Sequence, residues 1–266
     1  MKITRSEPDS KILDKNIYQI AAFEAALKNY KDLEKSFLEN NLVDCFEVRI
    51  PVNQIKTIHS FEAHAFRFAE MKIIRKLTLD GQSVSENAYY PFKLKPVDDT
   101  NDLKEVLKTA KYYVKDDRFS LSGRFSKTDT LKRIQHFLKK SCNAEDEFLL
   151  CLNNEHSGEI IGYQSGQMLG KNEVKLFLSG LKKEYSNKHY LSILDTLTLS
   201  WLSSQNIRYV NACSSSVNLN EMNIAFQMLG YYIDETYIVL QKWFNLNKGL
   251  KKVKQCITKE SQSITV

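Results

Sequence analysis

The chain has 266 residues, 42% hydrophobic and 26% charged, with a formal net charge of +6. This balance suits an ordinary folded chain, long enough for one large domain or two modest ones, and excludes collagen-like or low-complexity architecture. No apolar run reaches the roughly 18 residues of a membrane helix, so no span is expected.

The opening MKITRSEPDSK has no apolar core and no small-residue cleavage site, so it does not read as a signal peptide. Residues 11–40 carry apolar groups at helical spacing and predict helix. DCFEVRIPV follows, its Phe46, Val48 and Ile50 alternating with Glu47 and Arg49, which predicts a half-buried strand. NQIKTIHSFEAHAFRF reads as a helix capped by Asn53, with Ile55, Ile58, Phe61 and Ala65 on one face. MKIIRKLTL is another alternating strand. These pieces make a partial β-α-β domain over 1–87, closed by the polar stretch DGQSVSEN at 80–87.

A second domain is expected over 88–247, with a basic tail over 248–266. It opens on the strand YYPFKLKPV, followed by the helix DTNDLKEVLKTAKYYV, the arginine-bearing loop DDRFSLSGRF and the helix TLKRIQHFLKKS. Three meandering strands come next: EFLLCLNN, EIIGYQSGQML and EVKLFLSGL. The turn LKKEYSNKH leads into the helix YLSILDTLTLSWLSSQ, then the strand RYVNACSSS, and the short helix EMNIAFQMLG ended by Gly230. YYIDETYIVLQKWF closes the domain as a hairpin or strand pair. This order is neither doubly wound nor a barrel.

The five cysteines show no CxxC spacing and the five histidines no HxxxH pair, so metal chemistry is not expected; buried thiols in a reducing, cytoplasmic setting are. The lysine-rich tail has no interleaved aromatics for base stacking, so no nucleic-acid partner is expected.

Order and residues together resemble the acyl-CoA N-acyltransferase (GNAT) superfamily over roughly residues 91–244. LFLSGLKKEYSNKHYL is similar to the family's cofactor strand and turn, SILDTLTLSWLSSQNIRYVNA to the helix and strand that follow, and NEMNIAFQMLGYYIDETYIVLQKWF to its closing block. A narrower similarity is to sugar acyltransferases of the dTDP-fucosamine acetyltransferase type. These also carry a partial N-terminal domain like EVRIPVNQIKTIHSFEAHAFRFAEMKIIRKLTL and an arginine-phenylalanine loop like DDRFSLSGRF. The resemblance implies an α/β (α+β) fold: a mixed, mainly antiparallel sheet flanked by helices, with the partial β-α-β domain before it.

The resemblance also implies the site. The splayed strand at 176–180, with Leu178, Ser179 and Gly180, would offer main-chain donors to the thioester and pantetheine of acetyl-CoA or another acyl-CoA. The turn Ser186, Asn187, Lys188, His189, Tyr190 and Leu191 stands where the family holds the pyrophosphate on glycine-rich main chain. It contains no glycine, so it reads either as a cofactor turn in unusual residues or as a plain polar helix start. The family's tyrosine acid, four residues before the closing glycine, is Phe226 here, and a histidine of the sugar subgroup is Gln241. Tyr231, Tyr237 or a water on Ser214–Ser216 are the substitutes, and Asn218 and Asn220 both approximate the family's asparagine. Arg118 and Arg124 either border an acceptor cleft, where guanidinium forks suit a diphosphate, or pair with Asp116, Asp117 or Asp129.

The activity so implied is acyl transfer to the amine of an amino sugar, expected to be nucleotide-linked, in bacterial surface polysaccharide assembly. A homodimer is left open. The alternative is a catalytically silent binding or scaffold protein on the same fold, motivated by the missing loop glycines and Phe226; amino-acid transfer from charged tRNA ranks behind both.

Overall fold

Strand alternation and helical caps account for most of the architecture in the computed structural model. It describes residues 2–21, 30–40, 42–79, 88–113 and 118–244, without the side chains of Tyr113 and Lys188. The expected boundary at 80–87, the basic tail at 248–266, and Asp116 and Asp117 lie outside the described residues. The chain divides into two units, one holding the described residues up to Phe68 together with those from Val239 on, the other Ala69–Ile238.

In the first unit, β1 (Ile3–Arg5) pairs antiparallel with β2 (Ile17–Ile20), and β2 runs parallel to β3 (Cys45–Pro51). Helix α1 (Glu7–Leu13) lies between β1 and β2 in the chain and α2 (Tyr30–Glu39) between β2 and β3, and α3 (Ile55–Ala63) follows β3. The single helix expected over 11–40 is therefore corrected: Ile17 and Ile20, three apart, fit a helical stripe, yet they are the two buried ends of strand β2. Two further corrections follow. Gln54 occupies the N-cap of α3 where Asn53 was expected, and no side chain caps it. Glu47, expected to face solvent, is 1% exposed and accepts a hydrogen bond from Gln241 Nε2 at 3.0 Å. The core is aromatic: Tyr30, Phe61 and Phe66 meet edge to face or tilted, with centroids 5.0–6.4 Å apart.

In the second unit the strands lie in the order β10-β4-β9-β8-β7-β6-β5. They are β4 (Arg67–Thr78, from Ala69 on), β5 (Phe92–Pro96), β6 (Glu147–Asn154), β7 (Glu159–Met168), β8 (Glu173–Leu181), β9 (Tyr209–Ser215) and β10 (Tyr232–Trp243, up to Ile238). β10 is one strand, not the hairpin or strand pair expected from its sequence. The β4–β9 and β5-to-β8 pairings are antiparallel; β8 and β9 are parallel, because helix α7 (Lys188–Ser204) carries the chain between them.

Alternation sorts the sheet's two faces. Leu149 and Cys151 of β6 pack with Val106 of α4 (Thr100–Thr109) and Ile134 and Leu138 of α6 (Lys127–Asn143). Leu152 of β6, with Ile161 and Leu181, packs with Ile193 and Leu194 of α7. Both helices on the first face are well started: Asp99 accepts from the N–H groups of Asn101 and Asp102, and Ser126 and Asp129 form a capping box on α6. The loop DDRFSLSGRF contains a single helical turn, α5 (Arg118–Leu121). Helix α8 (Leu219–Gln227) precedes Gly230, whose φ of +77° suits glycine.

Candidate active site

The parallel ladder between β8 and β9 runs from Glu173–Tyr209 to Leu176–Ala212 and stops there. Both strands continue, β8 to Leu181 and β9 to Ser215, so a V opens in the sheet beyond Leu176 and Ala212. At the same level β8 bulges against β7: Gln164 pairs with Ser179 and Gly166 with Leu176, leaving Ser165 opposite two residues.

The bulge decides where the main-chain donors point. Leu178 N–H is held by Ser165 Oγ at 3.1 Å, and the same hydroxyl donates back to the Leu178 carbonyl at 3.2 Å. Lys182 N–H donates to the Ile161 carbonyl at 2.7 Å. Strand alternation then turns the N–H of Gly180 toward β7 and those of Ser179 and Leu181 toward the V. Of the three donors expected here, Ser179 therefore faces the opening, Leu178 is engaged and Gly180 faces away.

The turn before α7 is ordered by its own side chains. Asn187 is the N-cap, its Oδ1 accepting the Tyr190 N–H at 3.2 Å, while Leu191 N–H reaches the Asn187 carbonyl at 3.2 Å. Ser186 N–H donates to the Lys183 carbonyl and Asn187 N–H to that of Tyr185. Among the described residues, the N–H groups of Lys188 and His189 take no acceptor, so two donors leave the positive end of a 17-residue helix. His189 is exposed with its ring against Tyr190, and Leu191 packs with Leu152, Leu181 and Leu194. Tyr190 lies edge-on to Phe92 and Tyr185.

At the head of the V lies a cavity of about 10 Å³, room for about one water. Its lining includes Leu176, Phe177 and Ser179 of β8, Ala212 and Cys213 of β9, Arg75, Asp195, Glu221 and Tyr231. Arg75 Nη2 donates to Glu221 Oε1 at 2.5 Å, and its guanidinium lies 5.1 Å from the centroid of the Tyr231 ring. Glu221 takes two further donors: Ser214 Oγ donates to Oε1 at 2.8 Å and Asn218 Nδ2 to Oε2 at 2.6 Å. Arg75 Nε and Nη1 are buried with no acceptor. Asp195, two turns into α7, is pushed up to about 7, first by burial and then by the neighbouring Glu221 charge, against the pull of Arg75. Burial likewise pushes the Tyr231 phenol up.

The expected chemical residues divide accordingly. Tyr231 lines the cavity and Asn218 orients Glu221 beside it, whereas Asn220 is exposed on the outer side of α8. Phe226 packs in the core with Leu77, Leu199 and Leu202. Tyr237 donates its hydroxyl to Glu235 and Ser214 donates to Glu221, so neither is placed as a substitute acid. Gln241 belongs to the core of the first unit. Arg118, expected at an acceptor cleft or a surface pair, is 4% exposed and bonds Glu70 Oε1 at 3.3 Å, with its guanidinium on Phe119. Arg124 is exposed.

Arg75, Asp195 and Glu221 were not singled out by motif, yet the sequence marks two of them. Arg75 falls in the buried register of β4 between Ile73 and Leu77, and Asp195 is flanked in the sequence by Ile193, Leu194 and Leu197. A charge in an apolar register signals a partner or a function. Among the described residues no group of three His, Cys, Asp or Glu could hold a metal ion, and no helix is long and apolar enough to cross a membrane.

No known family profile matches the chain, and no curated protein matches it. Solved structures do. A GCN5-related N-acetyltransferase from Sphaerobacter thermophilus superposes with TM-score 0.62 at 11% identity, over 85% of this chain and 73% of that one. A conserved protein of unknown function from Staphylococcus epidermidis gives 0.64 at 11% identity, over 89% of both chains. A GCN5-related glucosamine N-acetyltransferase region of a fungal multi-domain β-N-acetylglucosaminidase gives 0.60 at 10% identity, over 91% of this chain and 31% of that one. The chain thus has the GCN5-related N-acetyltransferase (GNAT) fold, its mostly antiparallel mixed sheet flanked by helices.

Proposed function

We propose that this protein is an acyl-CoA-dependent N-acyltransferase whose acyl slot is the V between β8 and β9. The observation that carries the reading is the ladder that ends at Leu176–Ala212 while both strands run on, with main-chain donors facing the gap. The diphosphate of the co-substrate would meet the Lys188 and His189 N–H groups at the start of α7, where the helix dipole favours an anion. The pantetheine amides would lie along the open side of β8, within reach of the Ser179 and Leu181 N–H groups. Because these donors belong to the main chain, bulky side chains such as His189 and Leu191 do not by themselves remove them.

The reaction needs a neutral amine, a polarised thioester and a place for one proton. The amine nitrogen attacks the carbonyl carbon, the C–N bond forms, the C–S bond breaks, and the proton lost by nitrogen ends on the departing thiolate. Asp195 is suited to relay it, since a carboxyl titrating near 7 both accepts and returns a proton at neutral pH. With Phe226 in place of the family's tyrosine, this carboxyl is a cavity group that burial moves to near neutral pH.

The acceptor we place among amino sugars, nucleotide-linked and used in bacterial surface polysaccharide assembly. What supports this is the sequence resemblance to sugar acyltransferases and the exposed Arg124; Arg118, buried on Glu70, no longer does. A second reading, a silent binding protein, is favoured by the narrowness of the cavity at about 10 Å³. Calorimetric titration with acetyl-CoA and longer acyl-CoAs separates the two. Saturable binding with acyl transfer to an amino-sugar nucleotide supports the enzyme. Absence of heat with every acyl-CoA at about 1 mM, a concentration at which even weak sites fill, leaves the silent reading.

A further inference from the structure

Arg75 is built into the head of the V by three strands in a row. It pairs with Ala212 of β9, which pairs in turn with Leu176 of β8, and paired residues share a face. Ala212 adds only a methyl group between its larger neighbours, which leaves the guanidinium space to lie toward β8. Glu221 holds one end at 2.5 Å and Tyr231 supports one face. Glu221 is itself fixed by Ser214 and Asn218, so the guanidinium has little freedom to turn.

Nε and Nη1 are the anomaly. Each is buried and takes no acceptor, a condition that costs stability because the donor has given up water without gaining a partner. Buried polar groups are otherwise nearly always satisfied, and exceptions mark an absent water, ion or reacting group. The cavity that Arg75 lines has room for about one oxygen-sized atom, at the level of the bulge where the thioester would lie. The main-chain donor expected to serve there, Leu178 N–H, is held by Ser165.

We propose that Arg75 is a catalytic residue, its Nε–H and Nη1–H stabilising the oxyanion that forms on the thioester carbonyl oxygen. This rests on the acyltransferase reading above. As the amine lone pair forms the C–N bond, the carbonyl π pair moves onto that oxygen beside Arg75. When the pair returns, the C–S bond breaks and the thiolate takes the proton given up by nitrogen. A fixed cation in a water-poor recess stabilises such developing charge without reorganising, and one lost donor typically lowers the rate by about 10²- to 10³-fold.

The test uses the full chain, acetyl-CoA labelled with ¹³C at the carbonyl, and an amino-sugar nucleotide acceptor. The proteins are the wild type, Arg75→Met combined with Glu221→Gln so that no carboxylate is stranded, and Ala212→Leu, which keeps Arg75 but fills the space beside it. Infrared difference spectra without acceptor should show the labelled carbonyl stretch moved to lower frequency in the wild type and back to its value in water in both variants. The rate of transfer should fall about 10²- to 10³-fold in both while the Kd for acetyl-CoA changes less than about threefold. If the double variant does not fold, Ala212→Leu alone decides. Variants that keep the shifted stretch and a rate within about threefold overturn the role of Arg75 and leave the acyltransferase reading standing. A wild type that neither binds acetyl-CoA nor transfers from it removes both.

Discussion

Asp195 shows how one side chain can carry both stability and chemistry. Its carboxyl sits near 7 in the folded protein against 3.8 in an open chain. Below about pH 4 both states hold the proton and nothing is lost. Between about 4 and 7 the unfolded chain releases it while the folded chain keeps it, so stability falls as pH rises. Above 7 the penalty is complete, with a ceiling near 4 kcal/mol for a shift of about three units. Asp195→Asn is therefore expected to stabilise the protein by on the order of 2–4 kcal/mol above pH 7, the gap closing toward pH 4. Urea midpoints across that range check it; a gap independent of pH would show that the carboxyl is not held in a poorly solvated place. The same substitution should remove the rise in transfer rate through neutral pH, since the base is protonated below 7. That opposition between stability gained and activity lost is what a functional charge in a poorly solvated place predicts.

Among the elements, β7 and α6 carry the sharpest sequence requirements. A Cβ at Gly166 would lie 2.5 Å from Phe148 Cζ and 3.0 Å from the Lys175 carbonyl, a ring and a main-chain atom that cannot easily yield. Gly166→Ala is expected to cost about 1–3 kcal/mol in chemical denaturation, and the bulge at Ser165 makes it a sensitive reporter of the V. Ser126→Ala removes a capping box from a 17-residue helix whose Ile134 and Leu138 cover β6, and should cost about 1 kcal/mol without altering acyl-CoA binding. Most elements of the second unit were legible because each carries its own mark: a short apolar run bounded by polar residues in EFLLCLNN, a period of 3.6 in LKEVLKTA. β2 was not. Four residues are too few to separate a strand from one turn of helix, and Ile17 is committed to a strand by its pairing with Cys45. The end of β10 was likewise uncertain, since a twelve-residue strand and a hairpin share alternation until partners are known.

At the scale of the whole molecule, the first unit is assembled from both ends of the described chain. Val239, Leu240 and Gln241 are buried in it, Gln241 bonds Glu47, and Lys242 pairs with Glu34 at 2.5 Å. A chain ended at Ile238 loses all of these and leaves Glu47 without its buried donor. Hydrogen exchange should then show protection lost across β3 (Cys45–Pro51), while the amides of β6 and β7 in the second unit stay protected. Equal protection in both proteins would mean that the first unit folds without its closing strand.

Periodicity and punctuation, read from the sequence alone, placed most of the strands and helices between Phe92 and Trp243 and the turn before α7, and the resemblance carried by those residues implied the class of fold. These depend on neighbours within one or two turns of chain, which a linear text records. Tertiary structure alone decided that Arg118 is a buried partner of Glu70, that Gln241 closes on Glu47 across 194 positions, and that Leu178 is engaged by Ser165. It also decided that Arg75, Asp195 and Glu221, 120 and 26 positions apart in turn, share one cavity where β8 and β9 part. The physical reason is the reach of the forces involved. Propensity and alternation act locally, whereas the ionisation of a carboxyl or the satisfaction of a guanidinium depends on burial and on groups that only folding brings near.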